Sequence, residues 1–138
     1  MLRGTARAFR FGWEWKTGNA DVRQVELDVQ RSDRTVPATL FLPSRFSPPL
    51  PGWVTLPGIT RPGRKHPTLV RFVRSLAASG SAVLVPEIPE WRELLLAPER
   101  AFDTLRSAIP TLAERGDVDP GRIGARGFSF AAPPVLLA

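Results

Sequence analysis

The sequence predicts an α/β domain in which an N-terminal antiparallel hairpin is followed by parallel strands with crossover helices. An early segment, 22–30, shows a mainly period-2 alternation, and a second predicted strand, 35–43, follows it after a polar turn. Short apolar runs typical of buried strands then alternate with two segments of helical periodicity. The resulting order of strand, strand, strand, helix, strand, helix and strand is that of a layered α/β domain.

The two early segments are predicted to pair as a hairpin. The intervening residues 31–34, Arg-Ser-Asp-Arg, form its tip because they are polar and separate the two predicted strands. Pro37 lies inside the second segment and has no amide hydrogen to give to a strand ladder. Its presence predicts that this strand lies at a sheet edge.

The later strands are short apolar runs bounded by glycine and proline. Residues 53–58 are predicted as the third strand and residues 81–89 as the fourth. The tetrapeptide Asp-Pro-Gly-Arg at 119–122 is typical of a turn. The residues that follow, 123–129, are predicted to carry a final strand into Ser129.

Proline opens both predicted helices. Pro67 suits the first position of an amphipathic helix, and Gly80 supplies its C-cap. Pro98 opens the second helix in the same way. His66, the one histidine of the chain, stands directly before the first helix, so we expect it to be exposed or to cap that helix.

Composition limits the function classes. The chain has 138 residues, of which 43% are hydrophobic, enough for one modest core and not for two domains. It has no cysteine and one histidine, which excludes disulfides and thiolate metal sites and leaves no cluster for a structural zinc. We therefore predict no metal and no cofactor.

The formal net charge is +6, and it comes from 17 arginines and two lysines that are spread along the chain. Because the arginines form no stripe with aromatic neighbours, nucleic acid is not the predicted partner; arginine-driven binding would show as salt-dependent retention on DNA. No apolar run approaches the length of a membrane span, and the first fifteen residues lack the apolar region of a secretory signal. These features predict a cytoplasmic protein without a membrane partner. Residues 1–20 are predicted to be a basic leader, and residues 21–138 the domain.

The stretch Gly127-Phe128-Ser129-Phe130-Ala131 has the spacing of a turn that presents a nucleophilic serine. A strand that turns sharply into a helix exposes the turn residue above the sheet edge, beside free amide groups of the helix. Small residues flank such a serine because the turn brings backbone segments close together. A serine that merely caps a helix would show the same string. The position after a predicted strand, with residues 56–63 following the third strand, favours the catalytic interpretation.

The chain resembles the N-terminal part of an α/β-hydrolase, nearest the dienelactone-hydrolase-like branch, so the predicted sheet is an incomplete α/β-hydrolase-type sheet. The resemblance is carried by Leu-Pro-Gly-Ile-Thr at 56–60, by residues 81–89 and by residues 118–131. It implies a serine hydrolase of carboxylic-ester type, acting on a small-molecule ester or other acyl substrate.

The resemblance also assigns roles to single residues. Ser129 would be the nucleophile, with Gly127 and Ala131 as the small residues of the turn. The oxyanion would be held by the backbone amide of Phe130 and by that of Ile59 or Thr60. Ala131 departs from the glycine that the pattern prefers at its position.

The resemblance further implies an acid and a histidine after the serine, and the sequence after Ser129 contains neither. We therefore expect the 138-residue chain to be inactive or nearly so. Pro133 and Pro134 would interrupt the helix expected after the serine, which leads to the hypothesis of a truncated gene or a shifted reading frame. Self-association through an exposed last strand would follow.

The alternative function is a non-catalytic binding or regulatory module that recruits a partner strand at its open sheet edge. Two acidic residues, Glu87 and Glu90, follow the fourth strand at the functional end of the sheet. The α/β-hydrolase layout does not usually place its acid there, so we interpret both as solvated loop residues. The tryptophans at positions 13, 15, 53 and 91 are interpreted as packing anchors.

Overall fold

The computed structural model describes residues 21–127, whose strands form one five-stranded sheet. The strands are β1 (Val22–Gln30), β2 (Thr35–Pro43), β3 (Leu50–Leu56), β4 (Ala82–Pro86) and β5 (Val118–Gly127). The helices are α1 (Pro67–Ala78), α2 (Pro89–Arg92) and α3 (Pro98–Ala113), and a 3-10 turn covers Gly63–Lys65. In the order β1, β2, β4, β3, β5, the first three strands are antiparallel, and β3 runs parallel to both of its neighbours. The predicted fold class is confirmed.

The N-terminal hairpin has the predicted bounds. β1 and β2 pair without a break from Val22 opposite Pro43 to Gln30 opposite Thr35. The tip is closed by the amide of Arg31, which donates to the carbonyl of Arg34 at 2.9 Å. Both strands have nine residues, and the alternation in 22–30 together with the polar turn after it was enough to predict them.

The prediction that Pro37 marks an edge strand is wrong, because β2 lies between β1 and β4. The carbonyl of Pro37 faces β4 and accepts the amide of Glu87 at 2.8 Å. In an extended strand the amide and the carbonyl of one residue point to the same side, so the missing donor also faces β4. The strand β4 has ended at Pro86, so the missing donor faces Glu87, just past the end of β4, and only the bond from the amide of Glu87 continues the pairing there.

The parallel strands differ from the predicted segments at their ends. β3 begins three residues earlier than predicted and ends at Leu56, before the buried Pro57 and Gly58. β4 occupies the centre of the predicted segment 81–89, and all five of its residues are buried. Strand β3 thus stops where Pro57 and Gly58 begin the loop that follows it, called the β3 loop below.

The prediction of a separate turn at 119–122 is wrong, because these residues lie within β5. Leu50 pairs with Val118, and the next pair joins Gly52 to Ile123. Two steps along β3 therefore match five along β5, and the extra residues form a bulge. The turn chemistry survives inside it, since the side chain of Asp119 accepts the amide of Gly121 at 3.0 Å.

Helices cover both faces of the sheet. α1 packs on one face through Leu69, Val73 and Ala77, against a cluster that includes Val83 and Val85 of β4. α2 and α3 cover the other face and its larger cluster. The buried members on that side include Leu40, Leu84, Trp91, Ala101, Leu105, Ala108 and Leu112. The alternation of β4 residues between the two clusters explains why this strand reads as a continuous apolar run.

The expectation for His66 is confirmed: it caps α1, and its Nδ1 accepts the amide of Thr68 at 3.2 Å. None of the helices formed by residues 21–127 has the length and apolar character that a bilayer crossing requires. The predicted basic leader, 1–20, lies outside the described residues.

Candidate active site

The candidate site lies at the end of the sheet formed by the carboxyl ends of the three parallel strands. Leu56, the last residue of β3, pairs with Gly127, the last residue of β5. β4 ends at Pro86, two residues beyond Leu84, which is paired with Val54 of β3. The carboxyl ends of the three strands therefore meet, and in open α/β sheets this is the edge that carries ligand sites.

Of the predicted turn residues, only Gly127 is among the described ones. Ser129, Phe130 and Ala131 lie outside residues 21–127. The pairing of Gly127 with Leu56 places the chain, two residues before Ser129, beside the start of the loop that holds Ile59 and Thr60. The topology thus brings Gly127, the first residue of the predicted turn, beside the loop after β3.

The loop after β3 has amide groups available for a ligand. Ile59 is half-buried and packs against the larger core cluster, while Thr60 begins a tight turn. The amide of Gly63 donates to the carbonyl of Thr60 at 3.1 Å and to its hydroxyl at 3.2 Å. Among the described residues, neither the amide of Ile59 nor that of Thr60 has an acceptor. Amide donors that have no acceptor within residues 21–127 are what a candidate oxyanion site requires.

The interpretation of Glu87 as a solvated loop residue is wrong, because its side chain is only 3% exposed. Its carboxylate accepts Nη1 of Arg64 at 2.7 Å and the backbone amide of Arg64 at 3.2 Å. The same guanidinium reaches Glu26 of β1 at 3.2 Å and the hydroxyl of Thr39 of β2 at 3.3 Å. The sequence signal was present, since an acidic residue directly after a buried strand needs a partner. No sequence pattern identified the partner, Arg64, which lies 23 residues earlier in the chain.

Glu90 is also paired, and its interpretation as a solvated residue is wrong as well. Arg31 is fully buried and donates to both carboxylate oxygens of Glu90, at 2.8 and 2.9 Å. It donates in the same bidentate way to Asp33, at 2.6 and 3.0 Å. One arginine thus ties the hairpin tip to α2, with the geometry in which guanidinium and carboxylate groups bind most strongly.

The cluster of Arg31, Asp33 and Glu90 makes the free energy of unfolding decrease at acid pH. Hydrogen bonds from Arg31 lower the pKa of Glu90 below its ordinary value of 4.5 and that of Asp33 below 3.8. The unfolded chain therefore takes up these protons at a higher pH than the folded one, so their contribution is present above about pH 4.5 and is lost as pH falls through the folded pKa values. We expect Arg31→Met to be less stable than the native chain at pH 7 and the difference to shrink towards pH 3.

Urea unfolding at a series of pH values measures this difference. Arg106→Met is the matched control, because Arg106 is exposed on α3 and does not take part in this cluster. A stability gap between the native chain and Arg31→Met that stays constant from pH 7 to pH 3 would contradict the assignment.

An open groove of about 560 Å³ adjoins the candidate site. Three exposed arginines contribute to its walls together with two acidic residues and two prolines. The lining residues are Arg34, Pro37, Arg61, Glu87, Pro89, Arg92 and Glu93. Arg92 is held in place by its Nε, which donates to the carbonyl of Arg61 at 2.8 Å. The groove has the size of a small-molecule site. Within residues 21–127, no three histidine, aspartate or glutamate side chains gather in a way that could hold a metal ion.

Comparison with solved structures finds hydrolases. The chain is similar to a dienelactone hydrolase-like promiscuous phosphotriesterase from metagenomic libraries, with a TM-score of 0.71 and 18% identity, covering 86% of this chain and 53% of that one. An esterase of Pyrobaculum calidifontis matches with a TM-score of 0.67 and 23% identity, over 98% of this chain and 46% of that one. Brefeldin A esterase, a bacterial homologue of human hormone sensitive lipase, matches with a TM-score of 0.63 and 18% identity, over 91% of this chain and 39% of that one.

These matches concern the fold. No family model matches the sequence, and no curated protein matches it either. The chain spans about half the length, or less, of the solved hydrolases named above. With its sheet order and its parallel strands, the described part of the chain has the fold of the α/β-hydrolases and is similar to their dienelactone hydrolase-like members.

Proposed function

We propose that this chain carries the nucleophile and the oxyanion-binding half of a serine hydrolase that acts on small-molecule esters or related acyl substrates. The observation that supports the proposal most is the pairing of Gly127 with Leu56. It brings the chain leading to Ser129 beside the loop in which the amides of Ile59 and Thr60 have no acceptor among the described residues.

In the proposed reaction the hydroxyl oxygen of Ser129 attacks the carbonyl carbon of the substrate. The amides of Phe130 and of Ile59 or Thr60 donate to the oxyanion as it forms. The alcohol then leaves with a proton, and water releases the acid from the acyl-serine. Each loss of one such amide donor typically costs about 10²-fold or more in rate.

The reaction also needs a base to take the proton from Ser129. His66 is the one histidine of the chain, and its Nδ1 already accepts the amide of Thr68 as the cap of α1. We therefore propose that the 138-residue chain by itself turns over esters very slowly. Oxyanion donors and binding without the base and acid still leave about 10³ to 10⁴-fold acceleration over water.

A fluorophosphonate probe tests the proposal. We expect slow labelling of the purified chain at Ser129, at least about 10²-fold faster than at any other serine, because only Ser129 would have oxyanion donors beside it. Peptide mass spectrometry locates the label, which should be lost in Ser129→Ala and retained in Ser107→Ala. Absent or evenly distributed labelling would refute the proposed nucleophile. Turnover of p-nitrophenyl acetate well above that of Ser129→Ala would refute the proposed inactivity.

The second candidate function is a binding module that uses the edge of the sheet. It is favoured by β5, which among the described residues pairs with β3 alone. Self-association through this strand should then raise the sedimentation coefficient with concentration, without labelling of Ser129. We also propose that the protein is located in the cytoplasm.

A further inference from the structure

We propose that Glu87 is a positioning residue for the oxyanion loop, acting through Arg64 and the turn that begins at Thr60. This role rests on the proposed function, because it matters to chemistry only if the amides of Ile59 and Thr60 receive an oxyanion. The two ends of the connection belong to different segments: Glu87 follows β4, and Thr60 follows β3.

Glu87 is itself held firmly. Its backbone amide donates to the carbonyl of Pro37 in β2 at 2.8 Å, which extends the sheet contact one residue beyond β4. Its side chain is almost completely buried beside the loop. The carboxylate therefore belongs to the rigid edge of the sheet, and it can serve as a fixed point for a more exposed segment.

A series of contacts connects this fixed point to Thr60. The carboxylate of Glu87 accepts both the backbone amide and a guanidinium nitrogen of Arg64. The preceding residue, Gly63, donates its amide to the carbonyl and the hydroxyl of Thr60. Two successive amides thus connect the turn to its support: that of Gly63 binds Thr60, and that of Arg64 binds Glu87.

The fit at Gly63 shows how closely the carboxylate approaches the turn. A Cβ atom at this position would lie 2.1 Å from Oε1 of Glu87, and the backbone has a φ of +58°. Only glycine combines this conformation with this approach. The carboxylate of Glu87 therefore packs directly against the turn. A contribution of Glu87 to the stability of the whole domain would not require this close contact with the loop that carries the candidate amide donors.

The test compares Glu87→Ala with the matched variant Glu90→Ala. Both remove a carboxylate from a buried arginine pair, but Glu90 binds Arg31 at the hairpin tip and not the oxyanion loop. Glu87→Gln is the second variant, in case Glu87→Ala does not fold. It keeps one acceptor for the amide of Arg64 and loses the charge that the guanidinium binds.

Two measurements are made on each variant of the full chain. Hydrogen exchange of the peptide 60–66 should become at least about tenfold faster in Glu87→Ala and change less than twofold in Glu90→Ala. The rate of fluorophosphonate labelling at Ser129 should fall at least about tenfold in Glu87→Ala, since a displaced donor costs about as much as a missing one. It should stay within twofold in Glu90→Ala, and Glu87→Gln should lie between the two.

The outcomes separate the two proposals. Labelling of the native chain at Ser129 that is unchanged in Glu87→Ala and Glu87→Gln would overturn the positioning role and leave the proposed function intact. Exchange in 60–66 that does not respond to the Glu87 variants would overturn it as well. A native chain without labelling at Ser129 would overturn the proposed function, and the positioning role with it.

Discussion

Gly63→Ala is expected to lower the free energy of unfolding by at least about 3 kcal/mol. The left-handed backbone at this residue costs alanine about 1 to 2 kcal/mol. The new methyl group would also lie 2.1 Å from Oε1 of Glu87, so the carboxylate has to move away. This displacement would weaken the largely buried ion pair with Arg64, for which complete removal of one partner typically costs about 3 to 5 kcal/mol.

Gly116→Ala is the matched control for this substitution, because a Cβ atom at Gly116 meets no atom within 4 Å. Its effect should lie within about 0.5 kcal/mol, as for ordinary surface changes. Urea denaturation of both variants measures the difference. Equal stability of Gly63→Ala and Gly116→Ala would show that the turn after β3 does not have the described contact with Glu87.

Trp91→Ala is expected to cost about 3 to 5 kcal/mol, as for other buried aromatic residues replaced by alanine. The side chain is 2% exposed and belongs to the larger core cluster. Its indole nitrogen also donates to the carbonyl of Leu96. This bond holds a loop in which three consecutive leucines, residues 94–96, are exposed. A loss of this size is a large fraction of the stability of a typical domain.

Trp91→Phe separates the two contributions. It keeps an aromatic ring in the core and removes the indole donor, so we expect a loss of about 1 to 2 kcal/mol. Thermal and urea unfolding give the two values. A Trp91→Ala variant that loses less than about 1 kcal/mol would mean that this side chain is not packed in the core.

The sequence predicted those parts of the fold that depend on local pattern. The alternation in 22–30 and the polar turn after it predicted the hairpin with 35–43, and Pro67 and Pro98 marked the beginnings of two helices. Local pattern also misled where a residue's neighbour came from elsewhere in the chain. A proline inside a strand predicted an edge position for Pro37. The sheet accepts it at an inner position because β4 ends close to it, and that end lies some fifty residues later in the chain.

The candidate site was predictable to a smaller extent. The position of Gly127 beside the β3 loop followed from the order of the elements, because parallel strands align their carboxyl ends. The pairing of Glu87 with Arg64 and that of Glu90 with Arg31 did not follow from it. Long-range ion pairs depend on the three-dimensional arrangement of side chains, which the hydrophobic periodicity of the sequence does not predict.

Because of the bulge in β5, the length of the surface segment 119–122 does not determine where the end of β5 lies at the candidate site. Register with β3 is regained at Ile123 and is kept to Gly127, whatever happens in the extra residues 119–122. Insertions or deletions in those four residues would be absorbed locally, without sliding the downstream strand past its neighbour. Changes in the length of this stretch would therefore leave Gly127 opposite Leu56.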